Sequence, residues 1–190
     1  MNTRGDITGL LVDVAAGHTD AQERLARLVY DELRAVAACK LRKQPPGTTL
    51  TPTVLVHEAY SRVVNSAGIP LQNRRHLFFA FGQAMWRIVV EYHRRKRLPI
   101  IDLDPDQLPA GSTLSTEDVL DLNGALHVLE REYPEEYEIA MMRKALGLSI
   151  EETAAVLGMS ESSVKQGWAL ARAHLSRHLS EERTQRRESA

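Results

Sequence analysis

Between residues 76 and 97, Phe78, Phe81, Met85, Ile88 and Tyr92 recur at i, i+3, i+7, i+10 and i+14. That spacing lines one face of an α-helix longer than five turns. Nearly every other long stretch follows the same period. No run of alternating β-branched residues bounded by turn residues interrupts it, so the chain is expected to be all-α.

The punctuation between helices sets the organisation. Asp6 is placed to cap a first helix ending near Gly17, and Thr19 with Gln22 forms a capping-box pattern that opens a long helix to about Lys43. Its apolar face is Leu25, Leu28, Val29, Leu33 and Val36. Gln44-Pro45-Pro46-Gly47 then breaks the chain, and a Thr-rich loop leads into a helix over Pro52–Asn65. Residues 98–111 carry Pro99, Pro105 and Pro109 among acids, which cannot continue a helix and read as an extended tether. Ser115 with Asp118 opens a second helical unit with Val119, Leu122, Leu126 and Leu129 on one face. Pro134 starts a further helix that Gly147 closes. The expected division is a domain over 1–97, a linker over 98–114, a second domain over 115–179, and a charged tail over 180–190 that should fray.

With 190 residues, two small domains fit the length, and 43 % hydrophobic with 5 % aromatic residues gives each a modest aliphatic core. No apolar stretch approaches the roughly 18 residues that span a bilayer, and the first residues lack a secretory signature, so no membrane contact and a cytoplasmic location are expected. The single cysteine, Cys39, excludes an intramolecular disulfide and a multi-cysteine metal site. The seven histidines never fall in HExxH spacing, and no phosphate-binding glycine loop or GxSxG elbow occurs. His174 and His178 lie four apart but have no third ligand nearby. The expectation is no enzyme, no cofactor and no metal.

The net charge is only −1, yet it is unevenly spread. From Arg74 to Arg97, seven bases face the single acid Glu91 and leave +6, whereas residues 98–121 carry six acids and no base. Local charge sets the field that phosphates feel. Arg87, Arg94, Arg95 and Arg97, with Asn73, Arg74 and Arg75 just before the helix and Trp86 within it, supply phosphate contacts and a possible stacking surface for an unpaired base. Trp86 reads equally as a core residue, and Tyr92 reads first as one, since it continues the apolar stripe.

Residues 147–172 have the anatomy of a helix-turn-helix. Ser149 and Glu152 form a capping box, Ile150, Ala154 and Leu157 face inward, Gly158 permits the sharp turn, and Ser160 caps the second helix. Val164, Trp168, Ala171 and Leu175 form its buried stripe. Ser162, Ser163, Lys165, Gln166 and Arg172 are left for solvent or a major groove. Gln166 suits adenine, Lys165 guanine or phosphate, and Arg172 the backbone. A helical hairpin with a polar outer face is the plain alternative.

The chain resembles bacterial RNA polymerase sigma factors of the extracytoplasmic-function group over residues 6–179. The stretch Leu148-Ser-Ile-Glu-Glu-Thr-Ala-Ala-Val-Leu-Gly-Met-Ser-Glu-Ser-Ser-Val-Lys165 with Ala169-Leu-Ala-Arg-Ala-His-Leu175 is similar to their region 4, and Met85-Trp-Arg-Ile-Val-Val-Glu-Tyr-His-Arg-Arg-Lys-Arg97 to the long helix of region 2. The resemblance implies a transcription initiation factor whose region 4 set (Ser162, Ser163, Lys165, Gln166, Arg172) reads the −35 element. Its region 2 set (Asn73, Arg74, Arg75, Trp86, Arg87, Arg94, Arg95, Arg97) would engage the −10 element. The partners implied are promoter DNA and core polymerase, through the β′ coiled coil and the β flap. An anti-sigma protein is left open.

One segment departs from that family. The helix over Pro52–Asn65 matches the polymerase-binding segment, with Thr53, Leu55, Val56, Glu58 and Arg62 as the implied contacts. The family commonly begins it with several acids. Here the aligned positions are Thr51, Thr53 and Val54, and only Glu58 remains. This resembles a subgroup switched on by a serine/threonine kinase, and a phosphate on Thr51, or alternatively on Thr53, Thr49 or Thr48, would restore the missing charge. Thr51 before Pro52 is equally an ordinary N-cap. Two other readings stay open at this point: a stand-alone helix-turn-helix regulator with a helical dimerisation domain, and an interaction adaptor that binds no DNA.

Overall fold

The helices fall close to where the apolar period put them. In the computed structural model, which describes residues 3–41, 50–65, 73–96 and 116–188, they are α1 (Thr3–Ala15), α2 (Thr19–Lys40), α3 (Pro52–Asn65), α4 (Arg74–Lys96), α5 (Thr116–Glu132), α6 (Pro134–Ala140), a π-helix (Met141–Ala145), α7 (Ile150–Leu157) and α8 (Glu161–Glu188). No strand occurs among the described residues, as the all-α expectation requires. None of these helices is long and apolar enough to cross a membrane.

Three boundaries differ. α1 begins at Thr3, so Asp6 lies inside its first turns rather than at its start. α2 stops at Lys40, three residues short of expectation. α8 continues past residue 180 to Glu188. Its last turns lack apolar anchors but are rich in Glu, Arg and Gln, which lose little side-chain freedom in a helix. The Ser180 and Thr184 hydroxyls also donate to carbonyls one turn back, at 2.8 and 2.9 Å. The expected linker over 98–114 lies outside the described residues.

α4 sits at the centre. Phe78, Phe81, Met85 and Ile88 are buried on the face read from the sequence, and Phe81 stacks on Tyr60 of α3 at 6.3 Å. Trp86, Val89 and Val90 are buried as well, although they lie off that stripe. A helix apolar on most of its circumference has to be covered from more than one side. α1 and α3 cover part of it, and α5, the π-helix and α7 cover the rest, so one continuous apolar cluster runs from Ile7 to Leu175. In the C-terminal half, α8 crosses α6 so closely at Gly167 that a Cβ there would come within 2.5 Å of Ile139 Cδ1.

His93, near the end of α4, is 3 % exposed, and its Nδ1 has no hydrogen-bond partner among the described residues. Burial penalises the imidazolium and holds its pKa below the ordinary 6.5. The unfolded chain therefore takes up this proton at higher pH than the folded chain does. Its contribution to stability is complete above about pH 6.5 and is lost as the pH falls below that value. Denaturant titrations across that window should show the loss, and His93→Leu should reduce it. An equal loss in the variant would trace the acid sensitivity to other groups.

Candidate nucleic-acid interface

Local capping builds the α7–α8 unit. The Ser149 side chain accepts the Glu152 amide at 3.0 Å while the Glu152 carboxylate accepts the Ser149 amide at 2.7 Å, which completes the capping box. Gly158 ends α7 in the left-handed region, at φ 70°, where a side chain would be strained. The Gly158 and Met159 amides both donate to the Ala154 carbonyl. α8 then starts under the Ser160 hydroxyl, which accepts the Ser163 amide at 3.0 Å. Val164, Trp168, Ala171 and Leu175 are buried, and Ser162, Ser163, Lys165, Gln166 and Arg172 are exposed on the outer side. Lys165 lies 3.4 Å from Glu161 one turn back, a solvent-screened pair that phosphate or a base edge can displace.

The basic helix is less open than its charge suggests. Asn73 caps α4 through the His76 amide at 3.0 Å. Arg74 pairs with Glu32 at 3.3 Å and lies over the Phe78 ring. Arg75 makes a two-bond fork with Glu138 of α6, at 2.8 and 2.5 Å. Trp86 is 6 % exposed, and its indole N–H donates to Asn123 of α5 at 3.0 Å. Arg87, Arg94 and Arg95 are exposed, and Arg97 lies outside the described residues. The eight residues therefore divide. Arg74, Arg75 and Trp86 are bonded to side chains of other helices, with the Arg75 side chain still partly exposed, and Arg87, Arg94 and Arg95 are the exposed cations.

On α3, the Thr51 hydroxyl accepts the Val54 amide at 3.2 Å, so Thr51 is a cap, and its side chain is exposed. Thr53 is exposed, but Leu55 and Val56 are fully buried and pack in the core. Glu58 lies 3.8 Å from Arg62 and accepts the Tyr92 hydroxyl at 3.3 Å. Arg62 forks onto Glu91 of α4 at 3.0 and 2.9 Å. Those bonds hold the Glu91 carboxyl below its usual 4.5 and raise Arg62. Thr48 and Thr49 lie outside the described residues.

Sequence reading missed the partners. Glu32, Asn123 and Glu138 lie dozens of residues from the groups they hold, and nothing local marks them. Arg143 and Lys144 flank the Trp168 ring at 5.6 and 5.3 Å. Arg143 also donates to the Leu148 carbonyl, which ties the π-helix to the start of α7. The His174 ring lies tilted against Tyr133, with centroids 4.2 Å apart.

A family model described as ECF sigma factor matches residues 4–181. Neither the curated proteins nor the solved structures gave a match.

The Arg62–Glu91 fork ties α3 to α4 while both side chains remain more than a third exposed, so solvent screening limits it to about 1 kcal/mol. Glu91→Gln is expected to cost that much at pH 7. Because the folded pKa is lowered, the contribution is present above pH 4.5 and vanishes as the carboxylate protonates. Parent and variant stabilities should therefore converge in acid. A gap that persists at low pH would mean that the fork contributes packing rather than charge.

Proposed function

The chain belongs to the ECF sigma factor family, and from that premise we propose a transcription initiation factor gated by phosphate on the threonines that open α3. Members of this family direct RNA polymerase to promoters, and that general role is this chain's. In the reading we favour, the exposed start of α8 reads the −35 duplex through Lys165 and Gln166, with Ser162 and Ser163 beside them and Arg172 on the backbone. Arg87, Arg94, Arg95 and the α4 N-terminus engage the −10 strand. α3 meets the β′ coiled coil, and the C-terminal half meets the β flap.

The observation that carries the gate is the start of α3, whose first turn contains no acid. Sigma factors of this family commonly place acids there, facing a basic polymerase surface. Thr51 is exposed and already points its oxygen at the Val54 amide, the side of a helix where free N–H groups and the dipole favour an anion. A phosphate adds about −1.5 to −2 charges and three acceptor oxygens at that point. Thr53 is the alternative acceptor. Glu58, the acid that remains, is drawn toward Arg62 and Tyr92 and replaces little of the missing charge.

Core-polymerase affinity with and without kinase treatment tests the gate. Unmodified protein is expected to bind about one to two orders of magnitude more weakly than the phosphorylated form. Thr51→Ala should abolish the gain, and Thr51→Asp should restore only part of it. Full affinity from Thr51→Ala protein would leave Thr51 as a helix cap only.

Promoter selection in reconstituted transcription tests the rest. Lys165→Ala or Gln166→Ala should shift −35 preference by about 1 to 3 kcal/mol per lost base contact, whereas Arg172→Ala should weaken all sequences alike. Equal losses across sequences for all three would overturn the base-reading assignment.

A further inference from the structure

Lys165 and Gln166, the pair assigned to base reading, are followed directly by two residues that the protein grips on the inner side of α8. Gly167 takes the Ile139 side chain so closely that a Cβ there would come within 2.5 Å of it. Trp168 is buried, with Arg143 and Lys144 against its ring at 5.6 and 5.3 Å. All three gripping residues belong to one segment, α6 and the π-helix, at spacing i, i+4 and i+5. Arg143, itself half-buried, reaches a second group. Its guanidinium also donates to the Leu148 carbonyl, next to the Ser149 cap that opens α7.

Base reading tolerates little angular error. Side chains of an α-helix reach roughly 5–6 Å from its axis, so turning α8 about that axis by about 20° displaces the tips of Lys165 and Gln166 by about 2 Å. A hydrogen bond to a base edge is lost over that distance, whereas attraction to the phosphate backbone is not. Apolar packing is non-directional and fixes the burial of the Val164–Trp168–Ala171 stripe better than its angle. A guanidinium is planar, with its donors fixed in direction and its face suited to an aromatic ring. One carbonyl at the start of α7 and one ring on α8 therefore define the setting of the two helices. Lys144 acts on the same ring from a position only 5 % exposed, where attraction between a cation and a ring is less screened by water.

We propose that Arg143 is a positioning residue for −35 recognition, which sets the rotation of α8 against α7 through Trp168 and the Leu148 carbonyl and touches no DNA itself. The inference rests on base reading by Lys165 and Gln166 as proposed above. Without Arg143, the Ser149–Glu152 box, the Ser160 cap and the buried stripe all remain, so α7 and α8 still form and still present Lys165 to a polyanion. The loss falls on the angle, and with it on discrimination between bases, because a site held loosely by its supporting residues keeps affinity better than selectivity.

The test is initiation by the full chain with saturating core polymerase on promoters randomised over the −35 element, each linked to a barcode in its transcript. Lys165→Ala and Gln166→Ala first mark the base positions that those side chains read. Arg143→Met is then expected to flatten the preference at the same positions about three- to tenfold. Arg143→Lys should restore only part of it, since one ammonium cannot meet the Leu148 carbonyl and the Trp168 ring together. Unchanged preference in Arg143→Met overturns the positioning role. So does full restoration by Arg143→Lys, or an equal loss of output at all sequences, both being what a charge acting on the DNA backbone gives. If the parent chain does not initiate, shows no −35 preference, or keeps it in both alanine variants, the base-reading assignment itself falls, and the positioning role with it. Thermal unfolding establishes whether Arg143→Met folds. If it does not, Trp168→Phe keeps an aromatic face but draws the ring back from both cations, and should flatten the same positions about two- to fivefold. Unchanged preference in that variant overturns the proposal by the second route.

Discussion

The architecture depends on α4 being a helix that cannot be satisfied by a single neighbour. Consecutive buried residues, Ala84-Met85-Trp86 and Ile88-Val89-Val90, wrap most of its circumference, and no one packed helix covers such a surface. The N-terminal helices take the side centred on Phe81, and the C-terminal helices take the side centred on Gly82 and Trp86. Removing the second group would expose the Trp86 indole to water, at roughly 1.5 to 3 kcal/mol for a large apolar side chain. The association of the two halves is therefore a consequence of what α4 carries.

Legibility in the sequence followed the range of each interaction. The α7–α8 unit could be read almost residue by residue, because the Ser149–Glu152 box, the Gly158 turn and the Ser160 cap are each closed within a few positions. The face of α4 containing Phe78, Phe81, Met85 and Ile88 was equally clear, since period alone reveals it. The opposite face was not. Trp86 sits beside Arg87 in a strongly basic helix, and the groups that receive its ring and its indole N–H, Asn123 among them, lie far away in the sequence. Arg75 read as a phosphate ligand for the same reason, its carboxylate partner being 63 residues away. Leu55 and Val56, implied as polymerase contacts by resemblance, are apolar residues that the core claims. The end of α8 is helical to Glu188 although apolar anchors are scarce there, because its residues have good intrinsic helix propensity.

Charge placement has a common logic across the chain. The arginines nearest the packed surfaces, Arg62, Arg74 and Arg75, each have a carboxylate on a different helix, and so they contribute cohesion between elements. Those pointing to solvent, Arg87, Arg94 and Arg95, generate the field felt by an approaching polyanion. Within α4, Arg74 and Arg75 thus serve the fold while Arg87, Arg94 and Arg95 face a partner, and the division is set by which way each residue points around the helix.

The π-helix over Met141–Ala145 adds a consequence of phase. An α-helix advances about 100° per residue, and a wide turn delays the chain beyond it by roughly one residue. Before that turn Ile139 points at Gly167 of α8, and at its end Ala145 and Leu146 point at Gly82 of α4. One continuous segment thereby serves two neighbours on different sides. Deleting a single residue from the wide turn would keep the segment helical and its composition nearly intact, yet would rotate everything after it by about a quarter turn. The α8 contact would survive while Leu146 swung away from Gly82. Insertions and deletions here act as changes of angle rather than of length.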